Sequence, residues 1–232
     1  MTDTKSRFPM LVIDTASRRI CVALIVKPGT DVATSFSDEE ASLSLFPTIK
    51  ILLQGQAIKL SQLRSIAFCE GPGSILGIRT AIMGIRVWAA TRQIDDCNFF
   101  SFNSLQVGSK LVKNSPSPPT DYLVVTDARR QSWNCLNGSN ENTSEVALIE
   151  NTALEQAPQV TYSFNEFPNW TRTQANIIRL SYRPESIFQN SAFFWWCGGI
   201  LASDSDSPRK TAPDGRSRTP QNTIIEMHLF FF

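Results

Sequence analysis

Ile66-Ala67-Phe68-Cys69-Glu70-Gly71-Pro72-Gly73-Ser74-Ile75-Leu76-Gly77-Ile78-Arg79 passes from one structural period to another within a few residues. Ile66 to Cys69 has the length and apolarity of a buried strand. Gly71-Pro72-Gly73 makes a tight turn, because glycine reaches backbone angles closed to other residues and proline stiffens the chain. Ser74 is a good helix N-cap. Ile78, Ile82, Ile85 and Ala89 then recur on one side of a helix running to Ala90, with Arg79, Arg86 and Arg92 elsewhere. Two roles suit this junction. Backbone N–H groups and a helix dipole aimed at one point would hold an anion. Alternatively, the glycines let the helix pack closely on the strand, which the residue types alone favour. No Gly-Lys-Ser/Thr follows, so this is not a Walker loop.

Upstream, Met10 to Ile13 is a short apolar run ending in Asp14-Thr15-Ala16-Ser17, and Ile20 to Val26 comes after a polar link. Such a pair predicts a β-hairpin. Ser35 to Glu40 is polar and reads as loop. From Ser42 to Gln54, Leu45, Ile49, Leu52 and Leu53 recur at helical spacing, and Ser61 is placed to cap a short turn before the next strand. Both helices carry wide apolar stripes, with Leu43 and Phe46 beside one and Met83, Val87 and Trp88 beside the other. Core burial explains most stripes of this kind; the alternative is a face covered by a second protein.

Downstream, Phe99 to Phe102 predicts a strand and Ser104 to Val112 a helix, before Ser115-Pro116-Ser117-Pro118-Pro119 breaks the pattern. Tyr122 to Val125 is a strand ending in Thr126-Asp127-Ala128-Arg129-Arg130, with Ser132 to Leu136 hairpinning back. Strands first, then strands alternating with helices, predict an α/β fold of mixed sheets covered by helices. The expected organisation is a first lobe over 8–114, a second over 120–202 and a loosely ordered tail over 203–232. Asp14-Thr15 and Thr126-Asp127 each close a strand, as two related lobes would.

The bulk numbers exclude several function classes. Twenty-two Lys and Arg face 21 Asp and Glu, so the 232-residue chain has a formal net charge of +1. A chain gripping nucleic acid unaided would show a basic stripe, so RNA contact is expected to be shared with a partner. Cys21, Cys69, Cys97, Cys135 and Cys197 are scattered, with no Cys-x-x-Cys pair, and read as reduced thiols of a cytoplasmic protein. Met1 to Met10 is polar and unlike a signal peptide, and the apolar run Ala192 to Ala202 is too short to span a bilayer. His228 is the only histidine, which leaves little from which to build a triad or a zinc hydrolase.

Leu11-Val12-Ile13-Asp14-Thr15, Cys21-Val22-Ala23-Leu24, Leu45-Phe46-Pro47, Gly71-Pro72-Gly73-Ser74 and Thr126-Asp127-Ala128-Arg129-Arg130 occur in the order and at about the spacing of one family. Over residues 11–136 the chain resembles TsaB, also called YeaZ, a shortened branch of the actin-like ATPases. The resemblance implies two RNase-H-like lobes and a degenerate nucleotide cleft at Asp14, Thr15, Gly71, Gly73, Ser74 and Asp127. In actin-like ATPases an aspartate at the end of the first strand approaches a metal-bound nucleotide, and a carboxylate there would hold magnesium through water. A turn-capping role for Asp14 is the alternative. Asp127 likewise suits a second phosphate site or an exposed turn.

The resemblance further implies a non-catalytic scaffold that pairs with TsaD, the subunit carrying the transfer chemistry. With TsaD and the ATPase TsaE it would support threonylcarbamoyl transfer to the adenosine beside the anticodon of tRNAs reading codons that begin with A. The family's pairing surface is built from the two helices, which places Leu45, Phe46, Ile49, Leu53, Ile78, Arg79 and Ile82 at a partner interface. No cofactor is expected for the chain alone, while ATP or ADP with magnesium in the partner complex, and a homodimer in the partner's absence, stay open. Two departures stand out. Ile75-Leu76 replaces the family's Phe-Thr, and Gln131-Ser132-Trp133-Asn134 replaces its Gly-Glu-Val-Tyr. An active ATPase or small-molecule kinase of the same superfamily is the alternative. It would need a second acidic residue and a glycine-rich adenosine loop, for which Gly198-Gly199 is the only late glycine pair.

Overall fold

A computed structural model of the protein describes residues 7–27, 31–94, 96–139 and 144–188. The expected hairpin forms from β1 (Met10–Asp14) and β2 (Ile20–Ile25), antiparallel from Met10 opposite Ile25 to Asp14 opposite Cys21. The stretch expected as loop is partly strand: β3 (Ala33–Ser37) pairs antiparallel with β2. It is a half-buried edge strand, which needs no apolar run to hold its ladder. Arg19 stacks its guanidinium 4.1 Å from the Phe36 ring centre on it.

Helix α1 (Ala41–Gly55) comes next, then β4 (Ser65–Gly71), α2 (Ile75–Ala90), β5 (Asn98–Asn103) and α3 (Ser104–Lys113). Ser74 caps α2 as expected, its Oγ accepting from Gly77 N–H at 3.2 Å. Ser61 instead lies inside a single 3-10 turn, Leu60–Gln62, whose N-cap is Lys59. The cap of α3 is Asn103, whose side-chain oxygen takes the Leu105 N–H at 2.9 Å. The first sheet has the order β3-β2-β1-β4-β5, with β4 parallel to both β1 and β5.

Side chains alternate across a strand, so β1 and β2 feed two cores. Leu11, Ile13, Ile20, Val22 and Leu24 meet α1 and α2 through Leu45, Ile49, Leu52, Leu53, Ala81 and Ile85. Met10, Val12, Cys21, Ala23 and Ile25 face the other way, toward α3 and the second sheet. Burial on both faces is why these strands read as unbroken apolar runs.

The second half consists of β6 (Asp121–Asp127), β7 (Ser132–Ser139), β8 (Ala147–Glu150), α4 (Asn151–Glu155), β9 (Val160–Phe164), β10 (Ile177–Leu180) and α5 (Glu185–Phe188). Its sheet order is β10-β9-β6-β7-β8. Hairpin partners are antiparallel and β6, β9 and β10 run parallel, so the first sheet's pattern is repeated strand for strand. Asp14 and Asp127 are the last residues of corresponding strands. The result is the two-lobed α/β fold of mixed sheets covered by helices. α3 lies between the sheets: Leu105, Val107 and Val112 share one core with Phe102, Tyr122, Val124, Phe164 and Phe188.

Residues 189–202 of the expected second lobe, the expected tail 203–232, Gly198-Gly199, Cys197, the run Ala192 to Ala202 and His228 lie outside the described residues. Among the described residues no helix is long and apolar enough to cross a membrane.

Candidate functional site

The strand-ending residues and the glycine turn do meet, but they meet each other. Asp14 is 1% exposed. Its Oδ1 accepts from Ala16 N–H at 3.0 Å and its Oδ2 from the Tyr182 hydroxyl at 2.8 Å. Burial pushes the Asp14 carboxyl up to about 6 from 3.8, against the opposing pull of those hydrogen bonds. Thr15 is buried beside it, and its hydroxyl has no hydrogen-bond partner among the described residues.

The glycine turn closes over this strand end. Gly71 sits at φ +107°, a conformation that side chains disfavour. A Cβ on Gly73 would run into the Ala16 carbonyl, and one on Gly77 into the Thr15 carbonyl. Ser74 N–H donates to the Ala16 carbonyl at 2.7 Å. Ser104 Oγ holds the Pro72 carbonyl at 2.5 Å from the start of α3. The turn therefore lets α2 lie directly on the segment after β1, which is the packing role.

Asp127 is engaged differently. Its Oδ1 accepts from Arg129 N–H at 2.6 Å and Thr171 Oγ1 at 3.0 Å. Its Oδ2 accepts from Trp170 N–H at 2.6 Å and Thr171 N–H at 2.5 Å. Desolvation works upward on this carboxyl, but the hydrogen bonds from Thr171, Arg129 and Trp170 outweigh it and hold it below the ordinary carboxylate value. Arg129, Arg130 and Gln131 form a turn with φ of 66°, 49° and 62°, and the Arg129 guanidinium stacks 4.3 Å from the Trp170 ring centre. A carboxylate with this many short donors is a brace for two loops.

A magnesium-bound nucleotide would need a carboxylate with oxygens turned to solvent and turn amides free to point at phosphate. Here both Asp14 oxygens are engaged and buried, Ser74 N–H serves the Ala16 carbonyl, and Asp127 is saturated by protein donors. The residues present do not fit that group. Among the described residues no cluster of three or more His, Cys, Asp or Glu is arranged for a metal ion.

The helical face needs a correction. Leu45, Ile49 and Leu53 are 0%, 2% and 6% exposed and lie in the core beneath α1, so they cannot present surface to a partner. Phe46 does reach the surface. Its ring crosses onto α2 where Gly84 leaves room, and meets Trp88 edge-on at 5.6 Å. Besides Phe46, the large apolar groups exposed on these helices are Leu43, Ile51, Ile75, Leu76, Met83 and Val87. Leu76, Met83 and Val87 have the spacing i, i+7, i+11 and so share one side of α2. The signal is present in the sequence, because the buried stripe of α2 is Gly77, Ala81, Gly84 and Ile85, which leaves the larger residues outside.

α2 also borders a groove of about 810 Å³, lined by Ile78, Arg79 and Ile82 and, at the helix start, by Ile75 and Leu76. Gly73, Ser74, Asp127, Arg129 and Trp170 line the same groove. Trp170, Tyr182 and Glu166 carry no sequence signal as site residues, because they act from the second sheet's loops on partners distant in sequence.

No protein-family model and no curated protein matches this chain. Among solved structures the chain is similar to YeaZ from Pseudomonas aeruginosa, with 19% identity and a TM-score of 0.58. That match covers 82% of this chain and 93% of that one. It is similar also to an uncharacterized protein with similarity to peptidase YEAZ from the same organism, at 19% identity and TM-score 0.57. This second match covers 82% of this chain and 92% of that one. At this identity the likeness shows a shared fold.

Proposed function

We propose that this chain is a non-catalytic partner subunit of the TsaB kind. It would lend its α1–α2 face to TsaD and, with TsaE, support threonylcarbamoyl transfer to the adenosine beside the anticodon in the cytoplasm. The observation that carries this reading is the side of α2 bearing Leu76, Met83 and Val87, next to Leu43 and Phe46 of α1, all exposed on a helix pair whose inner stripes already fill the core. Clustered exposed apolar surface of this kind marks a site of interaction with another protein. The shared fold with YeaZ supports the choice of partner, and the engaged state of Asp14 and Asp127 supports a role without bond-making. On this reading the chain needs no cofactor of its own and reaches tRNA through the complex.

Co-purification with TsaD is the test. Val87→Asp and Met83→Asp are expected to abolish stoichiometric capture while leaving the melting temperature within a few degrees, since surface substitutions shift stability by about 0.5 kcal/mol or less. Undiminished capture by both variants would overturn the assignment of this face. ATP turnover by the isolated chain, lost in Asp14→Ala, would overturn the non-catalytic role and restore the ATPase or kinase alternative.

A further inference from the structure

We propose that Tyr182 and Asp14 form a buried lock between the two sheets, in which the chain's own tyrosine occupies the carboxylate a metal-bound nucleotide would need. The lock rests on geometry at both ends. Tyr182 lies just beyond β10 and is 3% exposed. Its ring is held edge-on by Phe167 at 4.9 Å and Phe164 at 5.3 Å. Its N–H donates to Glu166 Oε2 at 2.7 Å, and Ser181 Oγ to Glu166 Oε1 at 2.9 Å. The Glu166 carbonyl accepts Arg18 N–H at 2.9 Å, so Tyr182 and Glu166, hydrogen-bonded to each other, hold both ends of the turn between β1 and β2. Cys69 on β4, Cys21 on β2 and Glu185 on α5 also face this carboxyl, and none of them brings a positive charge. Among the described residues Asp14 is compensated only by hydrogen bonds, from the Ala16 N–H first, then the Tyr182 hydroxyl and the Cys69 thiol.

A metal-bound phosphate reaching Asp14 would have to displace the Tyr182 hydroxyl, and one taking the Ser74 N–H would have to displace the Ala16 carbonyl. A nucleotide cleft works by opening and closing on its ligand. Here the groove beside Gly73 and Ser74 is open, but the Asp14 carboxylate is sealed off from it by protein groups alone, and that sealing does not depend on the partner reading above.

The experiment uses the full chain and MgATP as the probe. Wild type is expected to show no change in melting temperature with millimolar MgATP. Tyr182→Phe keeps the ring and removes the hydroxyl. It is expected to lower the melting temperature by roughly 5 °C, because a buried carboxylate loses a donor. Amide exchange at Ala16 and Arg18 should quicken about tenfold as the turn is released. In an Asp14→Asn background, where no charge is left unpaired, the same tyrosine change should cost less than half as much. Stabilisation of wild type by MgATP, lost in Asp14→Asn, would overturn the lock and make the cleft a ligand site. An equal cost of Tyr182→Phe in both backgrounds, or no cost in either, would also overturn it. No TsaD enters these assays, so failure here leaves the α1–α2 partner face standing and bears only on the non-catalytic role.

Discussion

Asp14 and Asp127 end the first strand of two sheets with the same strand order, yet one carboxyl is pushed up to about 6 and the other is held down. Position in the fold is shared; the segment after the fourth strand of each sheet differs. After β4 comes α2, and the helix presses the glycine turn onto Ala16 and Thr15, sealing Asp14 from water. After β9 there is a loop in place of a long helix, and it offers Trp170 and Thr171 N–H to Asp127 in a half-exposed setting. The same residue at equivalent strand ends thus becomes a desolvated group in one sheet and a solvated brace in the other. Neither is arranged as a free ligand.

The largest expected effect probes the sealed side. Gly77→Ala should raise stability by about 1 kcal/mol if helix propensity alone mattered. A methyl there would strike the Thr15 carbonyl, so the variant is expected to lose about 3 kcal/mol or to fail to fold, as overpacked sites do. Urea unfolding decides the sign. A more stable variant would mean that α2 does not seal Asp14.

Next comes the pH dependence of Asp14. Its folded-state pKa of about 6 lies above the ordinary 3.8, so the folded chain holds the proton more tightly than the unfolded one. The associated stability is fully present below about pH 4 and is lost as pH rises through 6, amounting to about 3 kcal/mol by pH 8. Asp14→Asn, neutral throughout, is expected to exceed wild type in stability at pH 8 and to match it near pH 4. Equal curves at both pH values would place Asp14 in contact with water.

The smallest effect belongs to Asp127. Its lowered value gives the opposite sign: stability present above pH 4 and lost as acid titrates the carboxyl. Because the site is half-exposed, Asp127→Asn is expected to cost only on the order of 1 kcal/mol at neutral pH. Carboxyl titration by NMR in the two single variants would show opposite displacements, and a common direction would erase the contrast.

The first sheet is largely legible in the sequence because its strands are buried on both faces and its helices keep a clean period. Met10–Asp14, Ile20–Ile25, Ala41–Gly55 and Ile75–Ala90 fall within a residue or two of the expected spans. β3 escapes such a reading because an edge strand of Ala, Thr, Ser and Phe looks like loop. β8, α4, β9 and β10 escape it because each is short and only partly buried, so pairing and not local pattern decides them. The site is half legible. Spacing brings out the glycine turn and both aspartates, but the partner that fixes the state of Asp14 lies 168 residues away. On α1, Leu45, Ile49 and Leu53 pass for surface because an apolar stripe does not say which of its members face the sheet.

The placement of α3 has a consequence for any attempt to divide the protein. Residues 115–120 joining the halves are largely exposed, whereas Leu105, Val107 and Val112 before them sit among side chains of the second sheet. A protease cutting that connection would release no independent half. The two fragments would stay bound and migrate as one particle, and either expressed alone would show its half of a shared interior to solvent, so the chain suits a complementation pair better than truncation.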